Sequence, residues 1–475
     1  MEILTENKKQ YEKEQDKLLQ TMLDLRFFNP WRHLTRFKDE RSLYPDTKLE
    51  LYITSTCNQK CEYCYLVKYP KLYPKEFNKP EIILKNMKIL FNYILANRMD
   101  IPCLDLYSGE IWGNQFGWTV LDTIYDYVIH GMGVQSLMLT TNCSFIEKPE
   151  AFQRIQQYVD KFRAINCPLI ISISVDGKII DEFSRPRNDK SGYTDEFYDK
   201  LFAFAKHNNF LFHPMVAPNN VKYWVENYQW WEKQNKKFGL DPFNSNVMTL
   251  EVRNDGWTDE NIEDYCKFLK YLMDEFYEKR CYKDPRLFGN AIIGQRQAEN
   301  DPRIGGYVPW CIGPADSFTG CTVCNHLTVR LGDLAICPCH RQAYDEYLYG
   351  YFNVEDNHIT GVRAVNPQMA IKILMSNVLY TTPLCDQCEF NYCCLKGCHG
   401  SQLETEKDPF FQIGNICKFF KAKYNFIFDW YREHGIIKYL QSWTPGEPGA
   451  QNVREILMIN DILEGQKKDG MGTTV

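Results

Sequence analysis

Three cysteines, Cys57, Cys61 and Cys64, constrain this chain more than any other feature. They lie in the run Thr-Cys-Asn-Gln-Lys-Cys-Glu-Tyr-Cys-Tyr, a C-x3-C-x2-C spacing that directly follows a strand-like segment. Three thiolates on one short loop can hold three irons of a [4Fe–4S] cube and leave the fourth iron open. An open iron is a place for chemistry, whereas a fully ligated cluster mainly moves electrons. Zinc sites favour four ligands, usually as two separated pairs. Here the spacing is unequal and no fourth ligand stands nearby.

The pattern around the triplet points to a parallel sheet. Strand candidates are Leu49–Thr54, Cys103–Tyr107, Gln135–Thr141, Leu169–Ser174, Phe210–Val216 and Val247–Val252. Between them lie amphipathic stretches: Pro80–Asn97, Trp118–Ile129, Pro149–Ile165, Asp195–Lys206 and Val221–Lys237. In the first, Ile82, Ile83, Met87, Leu90 and Ile94 recur at helical spacing. Such alternation predicts an α/β fold with helices outside a parallel sheet. Six strands fit a partial (β/α)6 barrel, with its active site at the C-terminal strand ends. The triplet follows the first strand and so falls at that end.

With 475 residues the chain has room for two or three domains. Five segments are expected: an extension over 1–46, in which Phe27, Phe28 and Trp31 dock on the main body, a barrel over 47–283, a Gly-containing linker over 284–310, a cysteine-rich domain over 311–425, and a helical tail over 426–475. A helix over Asp259–Glu278 closes the barrel. The net charge of -6 argues against non-specific nucleic-acid binding. No apolar run is long enough for a bilayer, and the polar start is not a secretory signal, so a cytoplasmic location is expected. The 19 cysteines then indicate metal ligation rather than disulfides. Cys103, Cys167, Cys266 and Cys281 stand alone and read as core residues. Eleven cysteines lie between Cys311 and Cys417, where hydrophobic periodicity is weak and metal substitutes for a core.

The triplet resembles the signature of the radical S-adenosylmethionine (SAM) superfamily, whose open iron binds SAM and cleaves it reductively to a 5′-deoxyadenosyl radical. The later cysteines, Cys385, Cys388, Cys394 and Cys398 in C-x2-C-x5-C-x3-C and then Cys417, resemble the SPASM domain, which carries two auxiliary clusters. The resemblance implies three [4Fe–4S] clusters in all. One auxiliary cluster would take Cys321, Cys324, Cys339 and Cys398, the other Cys385, Cys388, Cys394 and Cys417. Cys337 competes with Cys339, which the run Pro-Cys-His-Arg favours, and Cys311 competes with Cys321. Cys393 reads as a bystander.

Other segments resemble the family's SAM-binding motifs. Ser108-Gly109-Glu110-Ile111 is similar to Gly-Gly-Glu-Pro, and Glu110 keeps an acceptor for the SAM ammonium. Thr141-Asn142-Cys143 is similar to Thr-Asn-Gly. Ser172, Ser174 and Asp176 lie in a segment similar to the ribose- and carboxylate-contacting strand. Arg185 falls where a guanidinium pairs with the SAM carboxylate, with Arg187 as competitor. Tyr63 is expected near the adenine.

The resemblance implies a peptide maturase that installs a thioether, a C–C or C–O crosslink or a similar oxidative change in a ribosomally made precursor. It also implies a flavodoxin- or ferredoxin-type electron donor. The extension is too short for a leader-binding winged helix, so a separate leader-recognition protein is expected. One alternative is an anaerobic sulfatase-maturating enzyme, which forms formylglycine. That subfamily has an Asp directly after the equivalent of Cys339, where this chain has His340. The other alternative is a non-catalytic iron–sulfur or zinc scaffold.

Overall fold

A computed structural model describes residues 2–26, 48–71, 73, 78–243, 247–248, 250–253, 255–298, 326–369, 385, 387–390, 394, 398–406, 414–443 and 450–468. Phe27, Phe28, Trp31, Cys311, Cys321, Cys324 and Cys393 lie outside the described residues. The chain divides into two compact units. The first comprises Met1–Ser174, Arg185–Leu201 and Thr322–Ser376, and the second Val175–Ser184, Phe202–Cys321 and Asn377–Val475.

The first unit is built on strands β1 (Lys48–Thr54), β2 (Cys103–Ser108), β3 (Leu137–Thr141), β4 (Leu169–Ile173), β5 (His326–Arg330), β6 (Ala335–Cys337), β7 (Gly350–Glu355) and β8 (His358–Ala364). They pair in the order β8-β7-β6-β5-β1-β2-β3-β4. The pairs β5/β1, β1/β2, β2/β3 and β3/β4 are parallel. The remaining pairs, β5 to β8, are antiparallel.

The expected parallel α/β core is present, and its helices begin where local chemistry starts them. Pro80 and Pro149 stand in the first turns of helices Pro80–Ala96 and Pro149–Ala164. Helix Gln115–Ile129 starts three residues before the expected Trp118 because the Asn114 side chain caps it, accepting from the Gly117 amide at 3.1 Å.

The stretch after the triplet's domain departs from expectation. Weak periodicity pointed to a region held by metal alone, yet β5 adds directly to β1, and Leu327, Val329, Ala335 and Ile336 are buried. The extension also has order: Glu2–Arg26 is a helix, Leu19 and Leu23 are buried, and Asp16 accepts from the Ala364 amide of β8 at 2.7 Å.

In the second unit, helices Trp224–Phe238 and Asp259–Lys279 pack through Trp224, Tyr228 and Phe268. Of the expected strand Val247–Val252, the described residues show Glu251–Val252, pairing with Met215–Val216. The expected linker contains a helix, Pro285–Ala298. Its glycine is a packing residue rather than a breaker: a Cβ on Gly289 would lie 2.5 Å from the Tyr439 ring.

Candidate active site

Register sorts the side chains of the parallel strands into two faces. Leu49 and Leu51 of β1 stand beside Leu104 and Leu106 of β2 and Leu327 and Val329 of β5, and all six are buried. The alternate rows are polar. Glu50 lies between Asp105 and Thr328, and Tyr52 between Tyr107 and Arg330. Parallel sheets are ordinarily apolar on both sides, so this polar face is the exception that needs a use.

The cysteine loop leaves the C-terminal end of β1 and is tied down at several points. The Gly109 and Glu110 amides donate to the Thr54 and Thr56 carbonyls, each at 2.8 Å. A Cβ on Gly109 would stand 2.1 Å from the Thr56 oxygen, so this position must be glycine for the loop to lie where it does. The Lys60 amide donates to the Pro186 carbonyl at 2.9 Å, and Asn188 Nδ2 to the Cys57 carbonyl at 3.0 Å. Cys57 Sγ accepts from the Gln59 amide at 3.4 Å. Burial pushes the Cys57 thiol up to about 12, helped by the nearby Glu110 and Cys64. A cation bound by the loop would displace that proton.

Glu110 is buried at the end of β2. Its carboxylate accepts from the Asn142 amide at 2.7 Å, from Thr141 Oγ1 at 2.9 Å and from the Trp112 amide at 3.2 Å. Burial nevertheless raises it to about 7. Asn142 Nδ2 donates to Asn58 Oδ1 at 2.7 Å, which joins the end of β3 to the cysteine loop. Cys143 adopts φ 57°, the left-handed conformation that a glycine there would favour. Arg185 donates to Tyr63 Oη at 2.8 Å, Ser174 Oγ at 3.1 Å and Gln59 Oε1 at 3.4 Å. Its competitor Arg187 is committed elsewhere, to both carboxylate oxygens of Glu147 at 2.8 and 2.9 Å and to the face of Tyr193.

Tyr63, Gly109, Glu110, Asn142, Ser174 and Arg185 thus gather on the cysteine loop, with Ser172 buried in β4 and Ser108 ending β2. Asp176 belongs to the second unit. It is fully buried, its carboxylate accepts from the Met215 amide at 2.8 Å, and its carbonyl accepts from Asn227 Nδ2 and Trp231 Nε1. What is visible of Asp176 is a turn-fixing role. Asn58 and Gln59, inside the triplet, give no motif signal, yet they carry the links between loop and strands.

The second cysteine field is partly described. In the second unit, Cys417 lies on helix Gly414–Glu433, and its thiol is raised first by burial and then by the charges of Cys385 and Cys388. Those three sulfurs are therefore neighbours. In the first unit, Cys337 is within β6, buried and pushed up to about 12 by that burial. Cys339 follows the strand, with Sγ 3.6 Å from Gln342 Oε1. Among the described residues, no three His, Cys, Asp or Glu side chains close around a point as ligands of one ion do. A cube binds thiolates at separate corners, farther apart than that.

The architecture is similar to that of solved structures of an enzyme called anSMEcpe. Native anSMEcpe with bound AdoMet matches with a TM-score of 0.52 and 16% identity, over 81% of this chain and 98% of that one. Native anSMEcpe with bound AdoMet and Kp18Cys peptide matches with a TM-score of 0.53 and 15% identity over the same shares. That protein is an anaerobic sulfatase-maturating enzyme, a radical SAM enzyme with a SPASM domain. The fold is that of the radical SAM enzymes. No family model matches the chain, and no curated protein matches it. Among the described residues no helix is long and apolar enough to cross a membrane.

Proposed function

We propose that the chain is a radical SAM enzyme that modifies a peptide, with its reaction chamber at the polar C-terminal end of the first unit's parallel sheet. The convergence of Gly109, Glu110, Asn142 and Arg185 on the loop of Cys57, Cys61 and Cys64 carries this reading. Those three thiols fit an open cube, being on one loop that carries no fourth cysteine. Cys321, Cys324, Cys339 and Cys398, and Cys385, Cys388, Cys394 and Cys417, would hold two further cubes. When bound, the open cube and SAM would supply a carbon-centred radical that takes hydrogen from the peptide. The chain's own residues orient and exclude. Glu110 offers an acceptor to the SAM ammonium, and Arg185 donors to its carboxylate. Ser172 and Ser174 would contact the ribose or carboxylate, and Tyr63 would lie near the adenine.

The product would be a thioether, a C–C or C–O crosslink, or a related oxidative change in a ribosomally made precursor, with electrons from a flavodoxin or ferredoxin and leader binding by a separate protein. Formylglycine formation is the second reading, favoured by the neighbours' peptide-bound structures. The test is anaerobic incubation of the reconstituted, reduced chain with SAM. 5′-Deoxyadenosine is expected, with about twelve irons per chain for three cubes. Serine at Cys57, Cys61 and Cys64 should remove both the product and the irons of one cube. Iron unchanged by those substitutions, with no 5′-deoxyadenosine from the parent chain, would sink the proposal. Loss of two hydrogens from a short sulfatase-type serine peptide would select the second reading.

A further inference from the structure

The proposed chamber holds a carboxylate that the radical chemistry does not use. Glu50 lies in the interior of β1, 1% exposed. Its Oε2 accepts from Thr328 Oγ1 at 2.5 Å and from the His340 amide at 2.9 Å. Its Oε1 is 2.8 Å from His340 Nδ1. A carboxylate held by the Thr328 hydroxyl and the His340 amide has only lone pairs to offer the ring, so Nδ1 must donate to it. The hydrogen of the neutral imidazole is then on Nδ1, and the lone pair is on Nε2.

The ring is clamped as well as bonded. It stacks on Tyr107 with centroids 3.8 Å apart and planes 12° apart. Tyr107 in turn receives the Tyr65 hydroxyl at 2.6 Å. The charge of Cys64 is close enough to Tyr107 to raise its phenol further, after burial. His340 is therefore stacked on a ring that feels the charge of the third thiol of the loop. Its side chain is 25% exposed, and among the described residues Nε2 makes no hydrogen bond.

We propose that Glu50 is a positioning residue that locks His340 in its Nδ1–H tautomer, so that Nε2 is a fixed hydrogen-bond acceptor for a hydroxyl or thiol of the bound peptide. The identity of the occupant rests on the function proposed above; the tautomer lock does not. A purely structural role for Glu50 would be met by any side chain that satisfies Thr328 and the His340 amide. Glutamine is such a side chain, but its consequence differs. Its carbonyl oxygen would face the two donors, and its NH2 would face Nδ1. The ring would then have to accept at Nδ1 and carry its hydrogen on Nε2.

The experiment uses the full chain labelled with 15N-histidine, with the His340 signals assigned by their loss in His340→Asn. The expected wild-type pattern is Nδ1–H, changing to Nε2–H in Glu50→Gln and persisting in Thr328→Val, which loses a donor but keeps the carboxylate. A wild-type Nε2–H pattern, or no change in Glu50→Gln, overturns the lock. Should the glutamine variant fail to fold, the wild-type spectrum decides alone.

Diethyl pyrocarbonate, which acylates the unprotonated ring nitrogen, is the second probe, mapped by mass spectrometry. His340 should react in the wild type and lose that reactivity in Glu50→Gln. A short peptide containing serine, threonine and cysteine should slow the wild-type reaction, and its counterpart with alanine at those positions should not. Equal effects of the two peptides, or none, overturn the acceptor role. Neither readout involves SAM cleavage, so failure here and failure of the proposed function are separable.

Discussion

Gly109→Ala is the sharpest test of how the cysteine loop is held. The added Cβ would lie 2.1 Å from the Thr56 oxygen, 2.5 Å from the Thr56 carbonyl carbon and 3.0 Å from the Ser55 oxygen. All three are backbone atoms, so no rotamer change relieves the clash. Ordinary contact begins at about 3.5 Å, so the loop must retreat by more than an ångström. That retreat breaks the Gly109–Thr54 and Glu110–Thr56 hydrogen bonds, both 2.8 Å long. Overpacking costs about 1–3 kcal/mol, and each lost bond about 0.5–1.5 kcal/mol. Alanine recovers about 0.4–1 kcal/mol by stiffening the unfolded chain. The net loss is about 1–6 kcal/mol on these figures, and at about 2–4 °C per kcal/mol the melting transition falls by roughly 2–20 °C. The assay is a circular-dichroism melt of wild type, Gly109→Ala and Gly192→Ala, with iron counted in the same samples. Gly192 is the control because a Cβ there meets nothing within 4 Å. A Gly109→Ala protein that melts with the wild type and keeps its full iron would refute the loop geometry.

Glu110→Gln should change the pH dependence of stability. Burial raises this carboxyl from 4.5 to about 7, so between those values the folded chain holds a proton that the unfolded chain has released. Its contribution is complete below pH 4.5 and lost as pH rises through 7. In urea titrations of the ligand-free chain, the variant should gain on the wild type from pH 5 to 7.5; parallel profiles would contradict this. Arg185→Lys should weaken SAM binding at least about tenfold, because a point charge cannot span Tyr63, Ser174 and Gln59 together. Arg187→Lys should leave SAM affinity intact and cost about 1 kcal/mol through Glu147 and Tyr193; equal loss of affinity in calorimetry would reverse the two assignments. Gly289→Ala should destabilise the second unit by about 1–3 kcal/mol, read by denaturant melts, since the Cβ drives into the Tyr439 ring.

The periodic segments were the legible part of the chain. Helix Pro80–Ala96 and strands β1 to β4 follow from spacing and from Pro and Asn at the starts, because those signals are local. The cysteine loop was legible for the same reason: its ligands are neighbours in sequence. What escaped inspection depends on distant partners. Strand β5 is only five residues long and finds its place by pairing with β1, some 278 positions earlier. Arg185 and Arg187 are alike in sequence, and only Glu147 and Tyr63 tell them apart. Gly289 reads as a helix breaker until Tyr439 is set against it.

The same division explains the polar row. Lys-Leu-Glu-Leu-Tyr-Ile-Thr in β1 alternates strictly, which is the pattern of a strand with one wet face. In a sheet paired on both sides, that alternation puts Glu50 beside Asp105. Burial, and then the Glu50 charge, raises Asp105 to about 6, and Lys48 at 3.6 Å opposes the rise. Two carboxylates side by side in a buried row weaken the fold, and apolar residues would serve the sheet better. Such a row persists where each member has a partner and the site has a use. Thr328 and His340 complete Glu50, and Lys48 offsets Asp105. The cost in stability thus falls on the face that meets the cysteine loop, while the leucine rows on the other face hold the sheet together.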